Sequence, residues 1–232
     1  MLNIYKESEL GKGNHGWLTS WFHFSFAGYQ NPKRVHFGPL RVINDDLIAP
    51  KTGFPTHSHE DMEIISYVIQ GSLSHTDSMN NTKTIYKGQV QYLSAGTGIT
   101  HSEYNYGDEP TRLLQLWIYP DKKGHIPQYG DYEFKWEDRI NKFLHLISSQ
   151  YSSNNTPIKL HQDADIYALF LDKDKTIDFN LPANKQVYIV LIDGKSNINN
   201  QILTSKDGMD SDENLIINAL EDSHFLLIQV NK

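Results

Sequence analysis

His57-Ser58-His59 and His101-Ser102-Glu103 place two pairs of metal-ligating side chains at a spacing of two residues. On an extended strand, residues i and i+2 point the same way with Cα atoms roughly 6.6 Å apart, so both side chains can reach one cation at bonds of about 2.0–2.2 Å. A helix would send them to nearly opposite faces. The flank favours a strand: Met62-Glu63-Ile64-Ile65-Ser66-Tyr67-Val68-Ile69 is rich in β-branched and aromatic residues and ends at the turn residue Gly71. A chain of 232 residues with eleven histidines produces one His-x-His by chance about half the time. The weight therefore falls on the two pairs together.

Three imidazoles and one carboxylate around a divalent ion leave one or two positions for exogenous ligands, as in an open catalytic centre. Nitrogen and oxygen donors suit Fe, Mn, Co, Ni, Cu or Zn without choosing among them. The chain has no cysteine, which excludes thiolate ligands and disulfides. Spacing leaves two candidates for the carboxylate. Glu103 lies two residues beyond His101, and Glu63, four residues beyond His59, has the same strand parity as the first pair.

Other polar residues receive structural readings. Alternation in Trp21-Phe22-His23-Phe24-Ser25-Phe26 puts the phenylalanines on one face and His23 on the other, as a hydrogen-bonded structural histidine. His36, His75, His125 and His145 stand alone and are assigned no role. Arg41 and Asp45-Asp46 read as solvent or turn charges, or as an internal ion pair.

A formal charge of −7 argues against direct binding to nucleic acid or anionic lipid. No apolar run reaches the roughly 18 residues that a spanning helix needs, and the first ten residues show no apolar export segment. A cytoplasmic protein is the expectation. Short apolar segments recur every 8 to 12 residues or so between Gly, Asn, Asp and Pro, which predicts an all-β protein of barrel or sandwich type. One short helix is expected near Trp136–Asn141, and the polar run Ser148–Asn155 reads as a linker or turn. Beyond it, strands are predicted over 165–171, 176–180, 186–192 and 223–230, with turns at Asp193-Gly194 and Asp207-Gly208. The expected organisation is a metal-binding domain over residues 1–147 and a second domain over 148–232 that lacks any His-x-His. Two barrels packed within one chain suit a monomer.

Gly53, His57, His59, Glu63 and Gly71, followed by Gly88, Ser94-Ala95-Gly96, His101 and Asn105, resemble the two motifs of the cupin superfamily of small β-barrels. Ser94-Ala95-Gly96 stands where a Pro usually precedes the second glycine, and the loop to His101 is longer than usual. Both departures are shared by the pirin family, which TGFPTHSHEDMEIISYVIQGSLSHTDSMNNTKTIYKGQVQYLSAGTGITHSEYN from Thr52 resembles almost throughout. HGWLTSWFHFSFAGY from His15 and FGPLRVINDD from Phe37 resemble it as well. Phe54-Pro55 and Asn80-Asn81 are local differences, and Pro55 is expected at the pocket mouth.

The resemblance implies a bicupin of two tandem jelly-roll (RmlC-like) domains, the second without metal ligands. It implies His57, His59, His101 and Glu103 as the ligands, with Glu103 also a catalytic base, and leaves Glu63 to orient a ligand imidazole. It further implies iron as the usual metal, and a flavonol such as quercetin with O2 as substrates of a quercetin 2,3-dioxygenase-type oxidoreductase. The alternative it implies is an iron-binding, redox-sensing regulatory protein that captures a protein partner without turnover. A third reading has the same metal serving another small-molecule reaction.

Overall fold

The computed structural model describes residues 2–232, which form twenty-two strands and two short 3-10 turns. The fold is all-β, built of two seven-stranded and two four-stranded sheets. Among the described residues, no helix is long and apolar enough to cross a membrane. The chain divides into two compact units, one of Gly11–Phe134 with Leu160–Gln162, the other of Met1–Leu10, Lys135–Lys159 and Asp163–Lys232. The division at Phe134 differs from the expected one at 147, which falls inside the strand Leu144–Ser149. Leu2–Tyr5 joins the C-terminal unit because it pairs antiparallel with Gly208–Ser211.

In the N-terminal unit a seven-stranded sheet runs in the order Gln128–Tyr132, Val90–Ser94, Glu63–Gln70, Thr111–Ile118, Leu40–Ile48, Leu18–Phe22 and Gly11–Asn14. A four-stranded sheet has the order Thr52–His59, Ile99–Asn105, Ser72–Asp77 and Thr82–Tyr86. All recorded strand pairs are antiparallel, as short connections allow. Leu18, Ile48, Val68, Leu73, Ile85 and Leu113 form one apolar cluster, with Trp17 and Phe54 packed on it. Ile64, Leu93, Ala95 and Ile99 form another, with Met62, Trp117 and Tyr129 against it. Ser66, Gln91, Gln115, His75, His101 and Glu103 are buried as well, so the interior also carries a polar set whose hydrogen bonds must be met inside the protein.

One irregularity shapes that set. His101 opposes His57, but Glu103 opposes Phe54, so the register slips by a residue and the strand bulges around Pro55. Proline has no amide hydrogen to give the ladder, and a bulge is where it is tolerated. Gly53 sits beside this bulge, and a Cβ there would fall 2.2 Å from the Glu103 carbonyl oxygen. Only glycine permits that approach.

The C-terminal unit has the same composition of sheets. Seven strands run Leu2–Tyr5, Gly208–Ser211, Lys185–Asp193, Ser223–Asn231, Ala164–Leu171, Leu144–Ser149 and Ile158–Leu160; four run Thr176–Phe179, Leu215–Ala219, Lys195–Ile198 and Gln201–Thr204. The four strands predicted here are each present within one residue of the expected bounds. The predicted helix is a single 3-10 turn, Trp136–Arg139. Leu169, Phe179, Ile189, Ile198, Met209, Ile217 and Phe225 belong to a fully apolar buried cluster in this unit.

Candidate metal centre

His57 and His59 project from Thr52–His59, and His101 from its neighbour Ile99–Asn105. Ligand-capable atoms of the three imidazoles all lie within 4.8 Å of one another, and the His57 and His101 ring centroids are 4.5 Å apart. His57 Nδ1 donates to the Pro55 carbonyl at 2.8 Å, so its lone pair is on Nε2. His101 is buried, and its Nε2 has no hydrogen-bond partner among the described residues. A buried ring nitrogen without a partner is costly, and a cation between the three rings would satisfy it. Burial, then the neighbouring His101 and His57, lower the His59 pKa to about 4. Burial, then His57 and His75, lower that of His101 to about 3. Both rings are therefore neutral at neutral pH, the form that binds metal. The residues present fit a divalent transition metal.

A second line of residues sets the orientation of His101. His75 Nε2 donates to Asp77 Oδ2 at 2.9 Å, and its Nδ1 stands 3.5 Å from His101 Nδ1. With the His75 proton on Nε2, Nδ1 is an acceptor and receives the His101 Nδ1 proton. His101 Nε2 is thereby left bare. Burial pushes the Asp77 carboxyl up, but hydrogen bonds from His75, Asn81 and Met79 outweigh it and hold the pKa below the ordinary carboxylate value. His75 is thus not an isolated histidine. The signal was present as His75-Thr76-Asp77, a donor and acceptor on one face of a strand.

Glu103 is buried and accepts three hydrogen bonds from the facing sheet. Ser66 Oγ and Gln91 Nε2 donate to Oε1 at 3.1 and 3.0 Å, and Gln115 Nε2 donates to Oε2 at 2.7 Å. These donors form one row, since Gln91 is paired with Ser66 and Ser66 with Gln115 on adjacent strands. Trp117 Nε1 in turn donates to Gln115 Oε1 at 3.3 Å. Glu103 groups with His75 and His101 within 4.8 Å and lines the same cavity as His57 and His59, but falls outside the group formed by His57, His59 and His101.

Two expectations need correction. Glu63 accepts from Tyr92 OH at 2.5 Å, Ser94 Oγ at 2.6 Å and the His161 amide at 3.0 Å, and bonds to none of the imidazoles of His57, His59 and His101. The parity argument fails because Asp61, with φ of 48°, turns the chain out of one sheet before Glu63 opens a strand of the other. Asp45 and Asp46 are not turn charges but lie within the strand Leu40–Ile48, and the alternative reading of an internal ion pair holds for Asp45. Asp45 forms a two-pronged ion pair with Arg112, at 2.9 and 2.6 Å. Asp46 accepts from Ser20 Oγ at 2.5 Å and lines the cavity. Burial raises its pKa to about 7 despite the Ser20 hydrogen bond, with the charges of Asp45 and Glu103 adding to the rise.

The cavity over His57, His59 and Glu103 has a volume of about 420 Å³. Trp17, Phe22, Phe54 and Trp117 supply aromatic walls, and Pro55 lines it as expected. Phe54 meets Trp17 edge to face with centroids 5.1 Å apart, and Trp117 meets His59 at 4.9 Å. A flat, apolar-faced ligand with a few polar groups is what such a space accommodates.

Comparison with known proteins places the chain in a family. Residues 4–118 match the Pirin family model, and residues 146–230 match the quercetinase C-terminal cupin domain. Quercetin 2,3-dioxygenase of Escherichia coli K12 is 39% identical over 233 residues, covering 99% of both chains. A pirin-like protein of Caulobacter vibrioides is 41% identical over 222 residues, covering 95% of both. The crystal structure of the bacterial pirin YhhW from Escherichia coli in complex with nickel(II) superposes with a TM-score of 0.93 at 38% identity, covering 100% of this chain and 99% of that one. On this identity and coverage, the chain belongs to the pirin family.

Proposed function

We propose that this protein is a metal-dependent dioxygenase that opens flavonols such as quercetin with O2, with His57, His59, His101 and Glu103 as the ligands of one transition metal. The observation that carries the reading is the convergence of three imidazoles, one with a buried nitrogen unpartnered among the described residues, beside an aromatic-walled cavity that His57 and His59 line. The name of the Escherichia coli relative supports the substrate class. Nickel(II) in YhhW supports a divalent metal, and resemblance to the family favours iron among the candidates.

A bound metal of this kind supplies a Lewis acid for a substrate hydroxyl and an electron partner for dioxygen. The protein supplies the rest. Trp17, Phe22, Phe54 and Trp117 hold a planar ring system and keep bulk water from it. Glu103 accepts the proton of the flavonol 3-hydroxyl at its carboxylate, while Ser66, Gln91 and Gln115 fix where that carboxylate lies. The electron-rich ring then takes both oxygen atoms of O2, at C2 and C4, and loses carbon monoxide.

The test is oxygen consumption matched to loss of quercetin absorbance and release of carbon monoxide by metal-loaded protein. Turnover that vanishes in His101→Ala supports the proposal. Metal binding without turnover of any flavonol refutes it and favours the regulatory alternative.

A further inference from the structure

Four residues form one continuous row across the seven-stranded sheet, namely Gln91, Ser66, Gln115 and Asn44, each paired with the next on a neighbouring strand. The first three grip Glu103. Asn44 does not, although it is 97% buried by its 3% exposure and lines the cavity. Its Oδ1 has no hydrogen-bond partner among the described residues. A buried amide oxygen left without a donor is costly, which implies that a donor arrives with a ligand. Beside Asn44, two residues along the same strand face, stands Asp46, which takes the Ser20 hydroxyl and also lines the cavity.

We infer that Asn44, Asp46 and Ser20 form a second polar subsite, which binds a hydroxyl of an aromatic ligand other than the hydroxyl held at the metal centre. That the ligand is a flavonol rests on the function proposed above. The chemistry of the subsite narrows the class further. Asn44 offers an amide acceptor and donor, and Ser20 a hydroxyl. Asp46, with its pKa raised to about 7, is substantially protonated near neutrality and both gives and accepts a hydrogen bond. Among the described residues, no Lys or Arg lines this cavity. A neutral phenol finds at Asn44, Asp46 and Ser20 a partner for both its hydrogen and its oxygen. The subsite therefore selects polyhydroxylated flavonols over those with the 3-hydroxyl alone.

The test compares quercetin with 3-hydroxyflavone, which shares the 3-hydroxyl and lacks the other four. Both are titrated into the full-length protein, with binding followed by quenching of tryptophan fluorescence, since Trp17 and Trp117 line the cavity. Quercetin should bind about tenfold more tightly, the scale of one or two net hydrogen bonds. Asn44→Leu and Asp46→Leu should each weaken quercetin about threefold to tenfold and leave 3-hydroxyflavone within about twofold of its starting affinity. Circular dichroism checks that each variant is folded, and the comparison of the two ligands on the unaltered protein needs no variant. Equal affinity for the two flavonols, or equal weakening of both in the variants, overturns the subsite while leaving the proposed function standing. Binding of neither flavonol overturns both.

Discussion

His75 Nδ1 lies 3.5 Å from His101 Nδ1, and this single approach connects the buried Asp77 carboxylate to the metal centre. The approach fixes which nitrogen of His101 carries the proton. Replacing His75 with Phe keeps the ring volume and its stacking on Tyr129 but removes the acceptor. Metal affinity should fall by about 10- to 100-fold, the usual effect of losing an outer partner of a ligating histidine. Competition against a chelator of known affinity measures it. Asp77→Asn should move affinity in the same direction, and unchanged affinity in both variants would separate His75 from the centre.

Glu103→Gln tests the donor row. The substitution keeps the shape but places an amide NH2 against hydroxyl and amide donors that now converge on a carboxylate. At least one buried donor loses its partner, a cost of about 1–3 kcal/mol. The melting temperature of the metal-free protein should fall, and metal affinity should fall with it. Glu63→Gln should leave metal affinity unchanged, because Glu63 bonds to Tyr92, Ser94 and His161 instead.

Asp46 gives stability a pH dependence of definite sign. Its folded pKa, about 7, lies above the unfolded value of 3.8, so the folded state holds the proton more tightly. The contribution is fully present below pH 3.8 and is lost as pH rises through about 7, with a slope of at most about 1.4 kcal/mol per pH unit. Asp46→Asn removes the titration. The melting temperature of the variant minus that of the parent should therefore rise between pH 4 and pH 8, and a flat difference would refute the assignment.

Gly53→Ala should disable the centre without touching a ligand. The new Cβ would lie 2.2 Å from the Glu103 carbonyl oxygen and 2.5 Å from Tyr104 Cα, both backbone atoms. The strands must part where Thr52–His59 meets Ile99–Asn105. The expected result is lower stability, by about 1–3 kcal/mol, and weaker metal uptake, read by denaturant unfolding and elemental analysis.

The common face of His57 and His59 was legible in the sequence because strand parity is local, whereas the joining of His101 was read from the resemblance of the surrounding motifs to a family. The all-β architecture was legible for the same reason. Asp46 was misread because adjacent acidic residues are rare in strands, yet here one is paired by Arg112 and the other by Ser20, residues 67 and 26 positions away. The row of Gln91, Ser66, Gln115 and Asn44 depends on the register of four strands distant in sequence. No periodicity in one segment encodes it. Glu63 went astray at the turn through Asp61, where a single left-handed residue changes which sheet the chain enters.

The three donors around Glu103 decide where its charge rests. A buried carboxylate ordinarily needs water or a cation to offset its desolvation, but this one has Ser66, Gln91 and Gln115 already in place. The sheet opposite its own sets its position, so the carboxylate stands ready in the cavity before any guest arrives.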